Sequence, residues 1–207
     1  MSGVMIIMEL RDKDIRSALR DHLKSKFACD PTTRILEEMG VSHWNGRIDM
    51  AAVNGHIHGY EIKSDLDTLE RLPNQAELFS KVFDTLTLVC TPKWLDDAQK
   101  IIPDWWGIIQ AKPTRTGNIR FSVYRKPRKN PELELRAMVE LLWREEAIDV
   151  LERHGLARGY KQSARWILWD RLVACIPKTE LKVSVRERLK VRGSYRGSFR
   201  QQLLCDG

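Results

Sequence analysis

The chain is short of cysteine, long apolar runs and repeats, and each shortage narrows what it can be. Its 207 residues include four cysteines, Cys29, Cys90, Cys175 and Cys205. These lie far apart, with neither the paired spacing of a structural zinc site nor the density of a disulfide-stapled secreted domain, so reduced thiols in a cytoplasm are the expectation. The apolar run Val4 to Met8 falls far short of the roughly 20 residues that span a bilayer, and nothing frames it as a cleaved signal. No membrane partner is expected, and a soluble, cytoplasmic protein is. The lack of any fixed-period repeat argues against a solenoid or propeller.

What remains is the composition of a globular chain, 43% hydrophobic, with 35 Lys and Arg against 28 Asp and Glu. The resulting net charge of +7 and pI near 9.3 favour a polyanionic partner without naming one.

Local pattern supplies the expected element order. Ile15, Leu19, Leu23 and Phe27 recur every four residues and predict an amphipathic helix over Asp12 to Ala28, flanked by Arg16, Arg20, Lys24 and Lys26. Asp30-Pro31-Thr32-Thr33 reads as a helix start, so Arg34 to Met39 is expected to be a short helix ending at Gly40. Arg47 to Val53 and His56 to Lys63 read as two strands joined at Asn54-Gly55, a strong hairpin signal. A helix carrying Leu69, Leu72, Ala76 and Phe79 follows, and Phe83 to Cys90 is apolar enough for a buried parallel strand. A short helix over Pro92 to Ile102 and two strands, Trp105 to Gln110 and Asn118 to Tyr124, extend the sheet. Beyond the proline-rich basic break Lys126 to Pro131 everything reads as helical, over Glu132 to His154, Ser163 to Cys175 and Lys178 to Val191. The fold class is therefore α/β, with residues 1–126 as the core, residues 127–207 as a helical region, and Arg192 to Gly207 as a mobile basic tail.

The informative stretch is Arg47 to Phe79, which sets an acid, a hairpin, a second acid and a lysine ahead of a helix. Glu61 and Lys63, two apart on a strand, share one face. Whether Asp49 joins them depends on register. A two-residue turn pairs Val53 with His56 and puts the acids on opposite faces, whereas a three-residue bulged loop pairs Val53 with Ile57 and Asp49 with Glu61. The second arrangement is expected, because carboxylates and an ammonium gathered at a strand end need a bridging partner such as a divalent cation with a phosphate.

Asp49, then Glu61-Ile62-Lys63, then Gln75 resemble the PD-(D/E)XK nuclease superfamily, over about Glu37 to Val89. The run EIKSDLDTLERLPNQ is similar to a poorly characterised group of small bacterial and phage proteins within it. One departure is Ile48, which stands where many members have proline before the acid. The resemblance implies a restriction-endonuclease-like mixed sheet flanked by helices, and a nuclease that hydrolyses phosphodiester bonds in DNA with Mg2+ or Mn2+. It also implies roles. Asp49, Glu61 and the Ile62 backbone carbonyl would hold the ion, with Glu38 binding directly or through water. Lys63 would stabilise developing negative charge, and Gln75 would orient water or substrate. Magnesium suits such hard oxygen donors, and phosphodiester hydrolysis uses the ion to polarise phosphate and activate water.

The basic residues divide into Arg71 near the site, a run with Arg125, Lys126, Arg128 and Lys129, and a helical run with Arg186 and Lys190 that continues to Arg192, Arg196 and Arg200. All suit phosphate contacts. His56 and His58 lack the companions of a zinc site and are expected to face solvent or pack. The tryptophans are expected to anchor the core. Asp65, Asp67 and Arg71 are expected as helix-start charges with an ion pair across one turn. A different class of function stays open, a DNA-binding or regulatory protein that keeps the nuclease fold without turnover. RNA as substrate, and a homodimer, also stay open.

Overall fold

The expected stripe is buried along α1 (Asp12–Lys26) through Ile15, Leu19 and Leu23. Acids in its first turn and lysines in its last complement the helix dipole. The computed structural model describes residues 9–41 and 45–192. After α1 come β1 (Arg34–Val41), β2 (Gly46–Val53), β3 (Ile57–Lys63), α2 (Leu72–Ser80), β4 (Thr85–Cys90), α3 (Leu95–Ile101), β5 (Gly107–Pro113), β6 (Ile119–Arg125), and then α4 (Leu135–Val139), α5 (Arg144–Arg153), α6 (Arg165–Cys175) and α7 (Lys178–Val191). The strands form one six-stranded mixed sheet in the order β1-β2-β3-β4-β5-β6. β3, β4 and β5 run parallel, while β1, β2 and β6 join antiparallel.

The sheet separates two apolar layers. On one face, α1 and Leu10 pack on Met50, Ala52, Tyr60, Ile62 and Val89. On the other, α2 to α7 share a single cluster that joins Phe79 and Leu88 to Met138, Val150, Trp169 and Val185. Residues 127–192 therefore pack on the sheet through the same core as the rest. The stretch expected as one long helix from Glu132 is two, α4 and α5, separated around Leu141–Trp143.

Arg34 to Met39 is a correction: it is the edge strand β1, not a helix. Its ladder to β2 runs from Arg34↔Val53 to Val41↔Gly46, and those backbone bonds together with burial of Leu36, Met39 and Val41 outweigh the helix propensity of Leu, Glu and Met. Glu38 has φ of 52°, which interrupts the strand alternation. Leu36 and Met39 thereby reach the same core cluster although three apart, a spacing that mimics a helix.

The hairpin loop has three residues, with Val53 paired to Ile57. Asn54 closes it, taking the His56 carbonyl at 3.0 Å on its N–H and the His56 N–H at 3.1 Å on its side-chain oxygen. Neither Asn54 nor Gly55 has positive φ, so the feature that makes Asn-Gly a hairpin signal is unused. The expected Asp49↔Glu61 pair does not form, because the β2–β3 ladder ends at Met50↔Tyr60. Beyond it the strands part.

His58 packs as expected, stacked on Tyr60 at 4.3 Å and bonded to Thr85 and Thr87. Burial lowers its pKa to about 3. Trp105, Trp106 and Trp169 are buried, but Trp166 is 58% exposed. Arg192, expected in a mobile tail, is buried. Its guanidinium pairs with Glu146, donates to the Leu141 carbonyl and lies over Trp143. Arg196 and Arg200 lie outside the described residues. Among the described residues, no helix is long and apolar enough to cross a membrane.

Candidate active site

The fork between β2 and β3 opens into a cleft of about 1080 Å³ at the carboxyl end of β3. β3 supplies Glu61 and Lys63 on the α2 side, as the two-residue spacing requires. Lys63 Nζ donates to Glu61 Oε1 at 3.1 Å and to Gln75 Oε1 at 2.9 Å, while Gln75 Nε2 donates to the same Glu61 oxygen at 2.6 Å. Pro73 stands in the first turn of α2, where its missing N–H costs nothing, and this start brings Gln75 to the strand end. The three side chains form a closed triangle. Glu61 and Lys63 are 2% and 3% exposed, so the triangle is part of the wall rather than the rim.

Asp49 joins from the parted end of β2. Its Oδ2 accepts the Ile62 N–H at 2.7 Å, replacing the carbonyl that a continued ladder would supply, and its Oδ1 accepts Arg16 Nη2 at 2.7 Å. The N–H and C=O of one residue leave a strand from the same edge, so the Ile62 carbonyl projects toward this gap as well. Arg16 reaches over from α1, also binding Asp12 at 2.9 Å and Glu38 at 3.3 Å.

Burial raises the pKa of both acids. Glu61 is pushed up to about 8, first by loss of water and then by the negative charge of Asp49, against the opposing pull of Lys63 and Gln75. Asp49 is raised by burial, with Arg16 and the Ile62 N–H acting in the other direction. Two interacting acids in one water-poor site favour sharing a proton or gaining a cation.

The donor set suits a divalent cation. Glu61 Oε2 is buried and accepts no hydrogen bond, which is costly for an oxygen unless something is meant to fill it. With Asp49 and the Ile62 carbonyl it makes a set of hard donors, and magnesium commonly takes only one or two carboxylates and keeps its remaining waters. Among the described residues, no three His, Cys, Asp or Glu side chains group to hold a metal by themselves. Glu38 and Asp49 both bond the Arg16 guanidinium, so Arg16 stands between them.

The family model for bacteriophage P4 protein cII matches residues 7–203. The chain belongs to this family. Protein cII of Enterobacteria phage P4 is 31% identical to it over 147 residues, which cover 71% of this chain and 55% of that protein. The chain thus spans about half the length of the curated relative it matches. No solved structure matches the chain. Both the parted strands and the Asp49, Glu61, Lys63 and Gln75 cluster fall inside the family match.

Of the basic residues expected to touch nucleic acid, Arg71 lines the cleft. The others do not meet it. Arg125 is tied to the carbonyls of Trp106 and Pro103, and Lys126, Arg128 and Lys129 follow it along the amino ends of β4 and β5, where Arg128 N–H bonds Trp105 and Asn130 N–H bonds Asp84. Lys190 stands near enough to Asp30, ahead of β1, to act on its charge, and Arg186 lies one turn earlier on the same helix. These positions are at the opposite end of the parallel strands from Glu61. Asp67, expected to pair with Arg71, instead accepts the Ser64 N–H at 2.7 Å, and Asp65 accepts the Leu10 N–H at 2.8 Å. Sequence reasoning missed Arg16 as a site residue, since on the helix it is one of four flanking cations. Its position one turn beyond Asp12 was the available signal. Arg47 and Lys81, which also line the cleft, were not anticipated there.

Proposed function

We propose that the chain is a metal-dependent nuclease that hydrolyses phosphodiester bonds in DNA, with an active site of the PD-(D/E)XK type on a restriction-endonuclease-like fold. The observation that carries this reading is the convergence of Asp49, Glu61, Lys63 and Gln75 at one strand end around an unsatisfied, buried Glu61 oxygen. The mixed sheet, with two antiparallel strands leading into a parallel crossover through α2, supports the fold assignment.

Asp49, Glu61 and the Ile62 carbonyl would hold Mg2+ or Mn2+, and the ion would supply a polarised phosphate and a hydroxide near neutral pH. The residues of the chain do the rest. The Ile62 N–H fixes the Asp49 carboxylate, and Gln75 holds Lys63 and Glu61 in one geometry. The Lys63 ammonium stands ready to stabilise charge that builds on the phosphate oxygens, in a wall from which water is excluded. Arg71, with Arg47 and Lys81 at the cleft, provides backbone phosphate contacts that carry no sequence preference.

Purified protein with Mg2+ or Mn2+ should cut DNA, whereas Asp49→Ala, Glu61→Ala and Lys63→Ala should each lose the activity. Equal cutting by all four would sink the assignment. A second reading is a non-catalytic DNA-binding or regulatory protein with this fold, favoured by the engagement of both Asp49 oxygens. Salt-sensitive DNA binding with no cleavage under any divalent ion would select it. The same assays run with RNA would decide the nucleic acid, and sedimentation would decide whether a homodimer forms.

A further inference from the structure

We propose that Arg16 is the built-in counter-ion of the ion-free site, and that a divalent cation binds Asp49 only by displacing its guanidinium. The inference rests on the reading of the cleft as an ion site and adds a residue and an order of events to it. Arg16 Nη2 lies 2.7 Å from Asp49 Oδ1, Nη1 lies 3.3 Å from Glu38, and Nε and Nη2 together grip Asp12. One planar cation therefore holds three carboxylates from α1, β1 and β2. The fork geometry of guanidinium is what allows this, and an ammonium cannot reproduce it.

The arrangement explains how two acids expected to hold an ion persist without one. Lys63 is committed to Glu61 and Gln75, which leaves Arg16, among the described residues, as the hydrogen-bonding cation of Asp49. A divalent ion and a guanidinium on the same carboxylate repel each other strongly in a site with little water, so one must yield. Arg16 has a place to go. Asp12, four residues earlier on the same helix and with its side chain 41% exposed, grips the guanidinium through two oxygens independently of Asp49. Release from Asp49 leaves Arg16 on Asp12 at the edge of the cleft, since Ile15 and Leu19 on the adjoining side of α1 are buried in the core. Ion binding is thus an exchange of cations, and its affinity is set partly by the strength of the arginine clamp.

The test is calorimetric titration of the intact chain with Mn2+ alone, comparing wild type with Arg16→Met and Arg16→Lys. Removing the competing charge should tighten Mn2+ binding at least about tenfold in Arg16→Met, which corresponds to ~1.4 kcal/mol. Arg16→Lys, which keeps a charge and so protects folding, should fall between the two. The Tm of Arg16→Met should also be lower than wild type without Mn2+ and rise further when Mn2+ is added. If Arg16→Met does not fold, Arg16→Lys decides. Affinity equal to or weaker than wild type in the folded variants overturns the proposal while leaving the ion site intact. Absence of Mn2+ binding in every protein up to millimolar concentration overturns both. Tighter binding in the variants combined with no cutting of DNA by wild type would uphold the clamp and remove the nuclease reading.

Discussion

Among the described residues, one acid–lysine pair stands at each end of the parallel strands, Asp84–Lys182 and Glu61–Lys63, and the two are completed differently. At the amino end of β4, Asp84 accepts Lys182 Nζ at 2.5 Å on one oxygen and the Ile57 N–H at 2.9 Å on the other. Every oxygen is used, and the pair fastens α7 to the sheet. At the carboxyl end of β3, Glu61 places Lys63 and Gln75 on one oxygen and leaves the other empty. The same two kinds of group thus make a finished joint in one place and an unfinished one in the other. A buried charge pair is rarely a net source of stability, but breaking a completed one is expensive. An incomplete one has a different cost, that of an acceptor taken out of water with no hydrogen bond in return.

Four experiments would break or sharpen that contrast. The largest effect is expected at the unfinished end. Lys63→Met should lower the rate of DNA cutting by roughly 10²- to 10³-fold, while Lys182→Met, measured per folded molecule, should leave it unchanged. Parallel losses in both would erase the distinction between a site and a joint. Next is stability. Asp84→Ala strands Lys182 and the Ile57 N–H and should cost about 3 kcal/mol in urea denaturation, whereas Glu61→Gln should cost nothing or stabilise.

The third concerns pH. Because the folded pKa of Glu61 is raised to about 8, the folded protein retains a proton that the unfolded chain gives up near the ordinary glutamate value. Stability therefore falls as pH rises through that window and levels off above it. Glu61→Gln has no proton to lose, so its advantage over wild type should grow by at least ~1 kcal/mol between pH 5 and pH 9. An advantage that stays constant would mean Glu61 is not held in its protonated form. The smallest effect is on substrate binding. Arg71→Ala should weaken DNA binding modestly and reduce the salt slope by about one, while Lys129→Ala, at the far end of the strands, should change neither. A larger loss from Lys129→Ala would move the nucleic-acid path to the other end of the sheet.

Much of the central region was legible because its signals are local. Glu61 and Lys63 share a face in any strand, Pro73 fits the first turn of a helix, and the apolar run into Cys90 suits only a covered strand. The loop length after Val53 was also within reach, since a three-residue loop puts Asp49 level with Glu61 and a two-residue turn would put them on opposite faces. The edge strand β1 was not, because the positive φ at Glu38 puts Leu36 and Met39 on one side and imitates helical spacing. The basic runs were legible as charge but not as location. Arg125 and Lys126 look equivalent to Arg71 in the sequence, yet the β5–β6 hairpin returns them to the opposite end of the strands from the cleft.

By itself, then, the sequence determined the order of strands and helices around the hairpin and which neighbouring side chains share a face, because the periods of 2 and 3.6 residues are properties of the backbone. Tertiary structure decided where the β2–β3 ladder stops, that Asp49 takes the Ile62 N–H instead of pairing with Glu61, and that Arg16 arrives from α1 to neutralise it. Those outcomes depend on residues 12 to 62 meeting across the sheet, and the energies that fix them, burial of acids and the cations available to pair with them, exist only once the layers are packed.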